Sequence, residues 1–170
     1  MGFGPETRSG SAGPAASLVY LSGAIEYAPD SGKGWRESIA PFLRDDLGHR
    51  VYDPAHDSRK SLTAEEWTHF RSLKTTDFQR FRAAVRKIVD YDLEVVSRSD
   101  YLICYWDEHS VRGGGTAAEV TWAYRLKKPV YLVSPLPIPH VSGWVLACCS
   151  EHFGSFENLK VHLRQVYRRL

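Results

Sequence analysis

Short apolar segments alternate with longer amphipathic segments along this chain. Residues 18–23 are apolar without strict alternation and end in a glycine, which predicts a strand buried on both faces. Further β-prone runs lie at residues 49–52, 101–106 and 130–133. Between the first two runs, residues 34–47 place large apolar side chains at helical spacing and stop at Gly48, which predicts a helix. This alternation of strands and helices predicts a parallel sheet covered by helices.

Three further segments complete the predicted order of elements. In the polar insertion of residues 53–76, Thr63 and Glu66 have the spacing of a helix start. Residues 77–97 repeat apolar side chains every three or four positions, and residues 155–170 predict a last helix docked on the sheet edge. We therefore predict an α/β fold, a doubly wound five-stranded parallel sheet with helices on both faces, Rossmann-like or flavodoxin-like.

The length and the local composition bound the domain organisation. A chain of 170 residues fits one hydrophobic core and is too short for an α/β barrel. We expect residues 18–170 to form a single domain. Residues 1–17 are rich in Gly, Ser, Ala and Pro, and we expect a disordered tail or a remnant added for expression.

Charge and cysteine usage exclude several classes of partner. The chain has 22 Lys plus Arg against 20 Asp plus Glu, so no strong positive field favours nucleic acid as a partner. No apolar run reaches the ~20 residues of a membrane span. The three cysteines, Cys104, Cys148 and Cys149, suit neither a disulfide framework nor a zinc site, and the histidines show no metal spacing. We expect a cytoplasmic protein with no metal, no cofactor and no membrane partner.

The region after the third predicted strand carries the most informative chemistry. Ligands bind at the carboxyl ends of strands in open parallel sheets, and here Asp107 is followed by a glycine triplet that includes Gly114 and Gly115. Such glycines let backbone approach a ligand, and a helix beginning near Thr116 directs its free N–H groups to the same space. Thr116 and Glu119 also have the spacing of an ordinary capping box.

Two interpretations of Glu119 follow from these residues. In the first, Glu119 is only a helix cap, and the chain is a non-catalytic nucleotide-binding module. In the second, Glu119 and Asp92 are two carboxylates at one cleft that divide nucleophilic and proton-transfer work, as glycosyl chemistry requires. The glycine triplet and Asp92 together favour the second interpretation.

The pattern resembles the nucleoside 2-deoxyribosyltransferases and the related 2'-deoxynucleoside 5'-monophosphate N-glycosidases. The matching segments are Val19-Tyr20-Leu21-Ser22-Gly23, residues 92–100, Gly114-Gly115-Thr116-Ala117-Ala118-Glu119 with the residues up to 124, and residues 128–133. The resemblance implies that Glu119 is the nucleophile, that Tyr20 orients it, and that Asp92 contacts or protonates the departing base. It also implies a homo-oligomer that binds a nucleoside or nucleotide and a free base, and that moves deoxyribose between bases.

Departures from the family pattern define the remaining substrate-binding candidates. Gly113 stands where the family often has an aspartate, so we expect Asp107 to take the place of that missing acid. The residues expected to line the substrate site are Gly23, Gly114, Gly115 and Thr116. The family's usual asparagine from a neighbouring subunit is also missing, and residues 141–144, which include Trp144, are the expected replacement.

The loop of residues 30–36 offers a different alternative. Lys33 and Arg36 stand at a Gly-rich turn before a predicted helix, which is either a flexible turn or a site for a 5'-phosphate. Phosphate binding there would favour a 2'-deoxynucleoside 5'-monophosphate N-hydrolase.

Overall fold

A five-stranded, all-parallel sheet forms the centre of the molecule. The computed structural model describes residues 16–57 and 62–167, so the predicted tail lies outside the described part of the chain except for its last two residues. The strands are β1 Leu18–Gly23, β2 Arg50–Tyr52, β3 Tyr101–Tyr105, β4 Val130–Val133 and β5 Glu151–Phe153, in the order β2-β1-β3-β4-β5. This order and the parallel pairing confirm the predicted sheet.

The fifth strand is the one that the apolar pattern did not locate. β5 has only three residues, and Glu151 is exposed. It pairs with β4 alone, so it lies at the edge of the sheet. An edge strand of this length carries no continuous apolar run, which is why the sequence predicted five strands but placed four.

Seven α-helices connect and cover the strands within the described residues. They are α1 Lys33–Pro41, α2 Pro54–Asp57, α3 Ala64–Thr76, α4 Phe78–Arg98, α5 Gly115–Arg125, α6 Gly143–Cys148 and α7 Phe156–Tyr167. A π-helical turn, Phe42–Asp46, continues α1. α3 begins with the predicted capping box, in which Thr63 and Glu66 exchange backbone and side-chain hydrogen bonds.

The helices lie on both faces of the sheet, as predicted. Tyr20 and its neighbours on one face pack against α4, α5 and α6, whereas Leu21 on the other face packs against α1 and α7. α7 packs against β4 and the edge strand β5, as expected, but it lies on a face of the sheet rather than along the edge itself. Its Leu159 and Leu163 lie in the same core cluster as Leu21, because an amphipathic helix buries more apolar surface on a sheet face than along an edge.

The strand order reverses direction between β1 and β3. From β1 the chain turns to β2 on one side, and it returns through α4 to β3 on the other side. The loops that follow β1 and β3 therefore diverge at the carboxyl ends of two neighbouring strands, which is where open α/β sheets bind ligands. No helix in the described ranges is long and apolar enough to span a bilayer.

Candidate active site

The carboxylate of Glu119 is held against the end of β1. Glu119 lies on α5, and its Oε1 accepts a hydrogen bond of 2.8 Å from the Tyr20 hydroxyl. Its Oε2 accepts one of 2.5 Å from the Ser22 hydroxyl. Tyr20 and Ser22 alternate along β1, so both side chains leave the same face of the sheet. Each oxygen of this partly buried carboxylate therefore has its own hydroxyl donor from one strand.

The helix-cap interpretation of Glu119 is wrong. The N-cap of α5 is Gly114, and no side chain caps this helix. Thr116 is buried within the first turn rather than placed before it. The Glu119 side chain reaches across to β1 instead of folding back on the start of its own helix.

A second tyrosine and carboxylate pair lies beside the first. Asp92 is on α4, and its Oδ1 accepts a hydrogen bond of 3.1 Å from the hydroxyl of Tyr52. Tyr52 ends β2 and is the register partner of Tyr20. The rings of Tyr20 and Tyr52 stack with centroids 5.2 Å apart. Residues from β1, β2, α4 and α5 are thus brought together.

Burial raises the pKa of both carboxyl groups. Burial raises the pKa of Glu119, while the hydrogen bonds from Ser22 and Tyr20 and the positive charge of Arg36 act in the opposite direction. Burial and the negative charge of Glu119 raise the pKa of Asp92 to about 7. Near neutral pH, Asp92 therefore exchanges a proton readily, a property suited to general acid and base catalysis.

The buried guanidinium of Arg36 supports the site from behind. Its Nη2 donates to the carbonyl of Gly23 at 2.9 Å, and its Nη1 donates to the carbonyl of Gly32 at 2.8 Å. Its Nε lies 3.4 Å from a carboxylate oxygen of Asp53. Arg36 is fully buried, so it joins the end of β1 to the following loop and to the residue that follows β2, and its charge acts within the fold.

Comparison with known families decides the relationship of the chain. The profile of the nucleoside 2-deoxyribosyltransferase family matches residues 19–160. The chain belongs to this family. It is therefore an enzyme of the N-deoxyribosyltransferase or N-glycosidase type, as its sequence predicted. No curated protein sequence matches the chain closely enough to count as a relative.

Two solved structures share the fold of this deoxyribosyltransferase-family chain. A 2-deoxyribosyltransferase from the psychrotolerant bacterium Bacillus psychrosaccharolyticus has a TM-score of 0.59 and 19% identity, covering 85% of this chain and 90% of that one. The CMP N-glycosidase BcmB of Clostridium botulinum has a TM-score of 0.50 and 12% identity, covering 88% of this chain and 98% of that one. At these identities the likeness establishes the shared fold.

In the predicted phosphate loop of this family member, the side chain of Asp30 binds backbone N–H groups that a phosphate would need. Asp30 accepts hydrogen bonds from the N–H groups of Gly32 at 2.8 Å and Gly34 at 2.7 Å, at the start of α1. These N–H groups lower the pKa of Asp30. Lys33 is exposed at the first position of α1, whereas Arg36 is turned into the fold. Phosphate binding here stays a prediction that depends on Lys33.

The predicted glycines differ in their surroundings. A Cβ added to Gly23 would lie 2.9 Å from the Trp35 ring and 3.1 Å from the Tyr105 carbonyl oxygen, so packing between β1, β3 and α1 requires a glycine there. Gly114 and Gly115 are exposed at the start of α5, with open space where a Cβ would stand. They leave room for a ligand above the α5 N-terminus.

Asp107 and Trp144 both lie outside the cluster of paired tyrosines. Asp107 follows β3, and its Oδ1 accepts hydrogen bonds from the backbone and the hydroxyl of Ser110, which stabilise a turn. Trp144 is 66% exposed, and its indole N–H donates to the Thr121 hydroxyl on α5. Their substrate roles stay predictions.

Sequence reasoning did not single out Ser22 and Tyr52. Ser22 could have been found because it lies two residues after Tyr20 on a predicted strand, and so on the same face. Tyr52 could have been found because it ends the second predicted strand, next to the first. In the part of the chain that the structure describes, no group of three or more His, Cys, Asp or Glu side chains could hold a metal ion.

Proposed function

We propose that this chain cleaves the N-glycosidic bond of a 2'-deoxynucleoside with Glu119 as nucleophile and transfers the deoxyribosyl group to another base. The observation that carries this proposal is the Glu119 carboxylate, whose two oxygens are held by Tyr20 and Ser22 at the end of β1. Family membership supports the reaction class. The named chemistry of the two structural neighbours, a deoxyribosyltransferase and a CMP N-glycosidase, agrees with it.

The first step forms an ester between the enzyme and the sugar. An oxygen of the Glu119 carboxylate bonds to C1′ while the C1′–N bond breaks, and the electron pair of that bond leaves with the base. Asp92 in its protonated form gives its proton to a ring nitrogen of the base, which then departs uncharged. The pKa of Asp92, raised to about 7, keeps a share of this carboxyl protonated at neutral pH.

The second step restores the enzyme. A nitrogen of the incoming base attacks C1′, and the bond between C1′ and the Glu119 oxygen breaks. The carboxylate of Asp92 takes the proton that the incoming base loses. Two displacements at C1′ give overall retention of configuration.

The hydroxyls of Tyr20 and Ser22 fix the nucleophile before substrate arrives. A carboxylate held by two donors from one strand has little rotational freedom, so less entropy is lost in reaching the attack geometry. The same two bonds and the buried charge of Arg36 oppose the rise that burial causes in the pKa of Glu119, and so they favour its ionised form. An ionised carboxylate is required because only this form attacks C1′.

Product analysis tests the proposal directly. Purified protein is incubated with a 2'-deoxynucleoside, or with its 5'-monophosphate, in the presence and absence of a second base, and products are separated by chromatography. Exchanged nucleoside supports a transferase. Free base alone from the nucleotide would instead indicate a 5'-monophosphate N-hydrolase, and no reaction with any substrate would refute the proposal.

We further propose a cytoplasmic homo-oligomer. The cysteines Cys104, Cys148 and Cys149 are free, as expected in a reducing compartment. Trp144 is a large exposed aromatic side chain next to α5, suited to contact with a second copy. Sedimentation of a monomer alone at micromolar concentration would contradict the oligomer.

A further inference from the structure

We infer that Tyr52 is a positioning residue that fixes which oxygen of Asp92 faces the departing base. The inference rests on the proposed function, because it concerns the carboxyl group that exchanges a proton with that base. Tyr52 itself acts through Asp92 and needs no contact with the reacting atoms.

The position of the Tyr52 hydroxyl is set by its surroundings. Tyr52 is the last residue of β2 and is 7% exposed. Its ring stacks on that of Tyr20, with ring centroids 5.2 Å apart. The centroid of the Tyr91 ring lies 6.3 Å from that of Tyr52, at an interplanar angle of 51°. A ring in contact with two others and attached to a strand has little freedom to turn. Its hydroxyl therefore meets Oδ1 of Asp92, 3.1 Å away, from a fixed direction.

This hydrogen bond determines where the proton of Asp92 resides. The Tyr52 hydroxyl donates to Oδ1, so Oδ1 is the acceptor and the acidic proton lies on Oδ2. Burial and the charge of Asp92 raise the pKa of Tyr52, so its hydroxyl keeps its proton and its role as donor. When Oδ2 gives its proton to the base, Oδ1 still accepts from Tyr52, and the new carboxylate is stabilised.

Several charged groups besides Tyr52 face Asp92. Glu119 on α5 and Asp57 on α2 raise the pKa of Asp92, whereas Arg36 on α1 and the Tyr52 hydrogen bond lower it. Loss of the Tyr52 hydroxyl removes one lowering influence. The pKa of Asp92 should then rise above about 7, and the alkaline limb of the activity profile should move to higher pH.

A comparison of two leaving groups tests the inference in Tyr52→Phe. One substrate, such as 2'-deoxyuridine or 2'-deoxyadenosine, has a base that must be protonated to leave. The other, 5-nitro-2'-deoxyuridine or 7-methyl-2'-deoxyguanosine, has a base that leaves without protonation. We expect kcat/KM to fall about 10- to 100-fold for the first substrate and less than about twofold for the second. The control Tyr91→Phe makes the same chemical change in the neighbouring ring and should change neither rate.

Both rates are measured on the same preparation of the variant. Partial unfolding lowers both rates by the same factor and leaves their ratio unchanged. Equal losses for both substrates, or no loss for either, would overturn the role of Tyr52. A downward shift of the alkaline limb would also overturn it. If wild-type protein cleaves none of these substrates, the proposed function itself fails, and that outcome is distinct from a failure of the Tyr52 inference.

Discussion

Replacing Glu119 with glutamine removes the charge of the proposed nucleophile while keeping its size. An amide oxygen does not attack C1′ as a carboxylate does, so the covalent route is lost. We expect turnover to fall by at least about a thousandfold, equivalent to roughly 4 kcal/mol of barrier. The acceptor oxygen of glutamine still receives one of the two hydrogen bonds from Tyr20 and Ser22.

The stability of Glu119→Gln should change much less than its activity. Loss of one hydrogen bond costs about 1 kcal/mol, but the variant no longer buries a negative charge. Because burial raises the pKa of Glu119 in the fold, ionisation of this group weakens the wild type as pH rises from the ordinary carboxyl pKa to the raised one. At pH 7 we expect a net change within about 1 kcal/mol. Relative to wild type, the variant should gain stability across that pH window.

The assay combines kinetics, urea unfolding and covalent trapping. Glu157→Gln, a change at an exposed position on α7, serves as the matched control and should leave turnover unchanged. With a slow 2-fluorinated deoxynucleoside, wild type should gain the mass of one sugar on the peptide that contains Glu119. A fully active Glu119→Gln variant, or a label on Asp92, would show that the nucleophile is assigned wrongly.

Three further changes probe the surroundings of the two carboxyl groups. Tyr20→Phe removes one donor to Glu119, and kcat should fall about 10- to 100-fold, because hydrogen bonds to charged groups contribute about 1.5–3 kcal/mol. The rate with a base that needs protonation should decline above about pH 7, where Asp92 loses its proton; a flat rate from pH 6 to 9 would contradict this role. Arg36→Met leaves buried carbonyls without their donor and removes one ion pair of Asp53, so urea unfolding should show a loss of about 3–5 kcal/mol, against little change for the exposed Arg44→Met.

The site contains two pairs, each of a tyrosine and a carboxylate, and the family resemblance accounts for only part of them. The resemblance supplied Tyr20, Asp92 and Glu119, but not the partner of Asp92. Tyr52 joins the two pairs, because its ring stacks on Tyr20 while its hydroxyl binds Asp92. The hydrogen bonds of both the proposed acid and the proposed nucleophile therefore come from neighbouring residues of adjacent strands.

The sequence by itself determined the fold class, four of the five strands and most of the helices. Strands such as Leu18–Gly23 are encoded locally by a short run of apolar residues. Helices such as Phe78–Arg98 are encoded by apolar residues that recur every three or four positions. β5 escaped because an edge strand of three residues lacks such a run. The start of α5 was predicted near Thr116 and lies at Gly115, but the sequence left a capping box open as an alternative, because a Thr and a Glu three residues apart fit one whether or not it forms.

Only the tertiary structure decided which polar groups meet. Ser22 and Glu119 are 97 residues apart, and Tyr52 and Asp92 are 40 apart, so no local period reports either contact. Arg36 carried the pattern of a phosphate ligand, yet backbone carbonyls bind its guanidinium inside the fold. Hydrogen bonds between distant residues follow from strand order and register, and these are fixed by packing of the whole sheet rather than by any one segment.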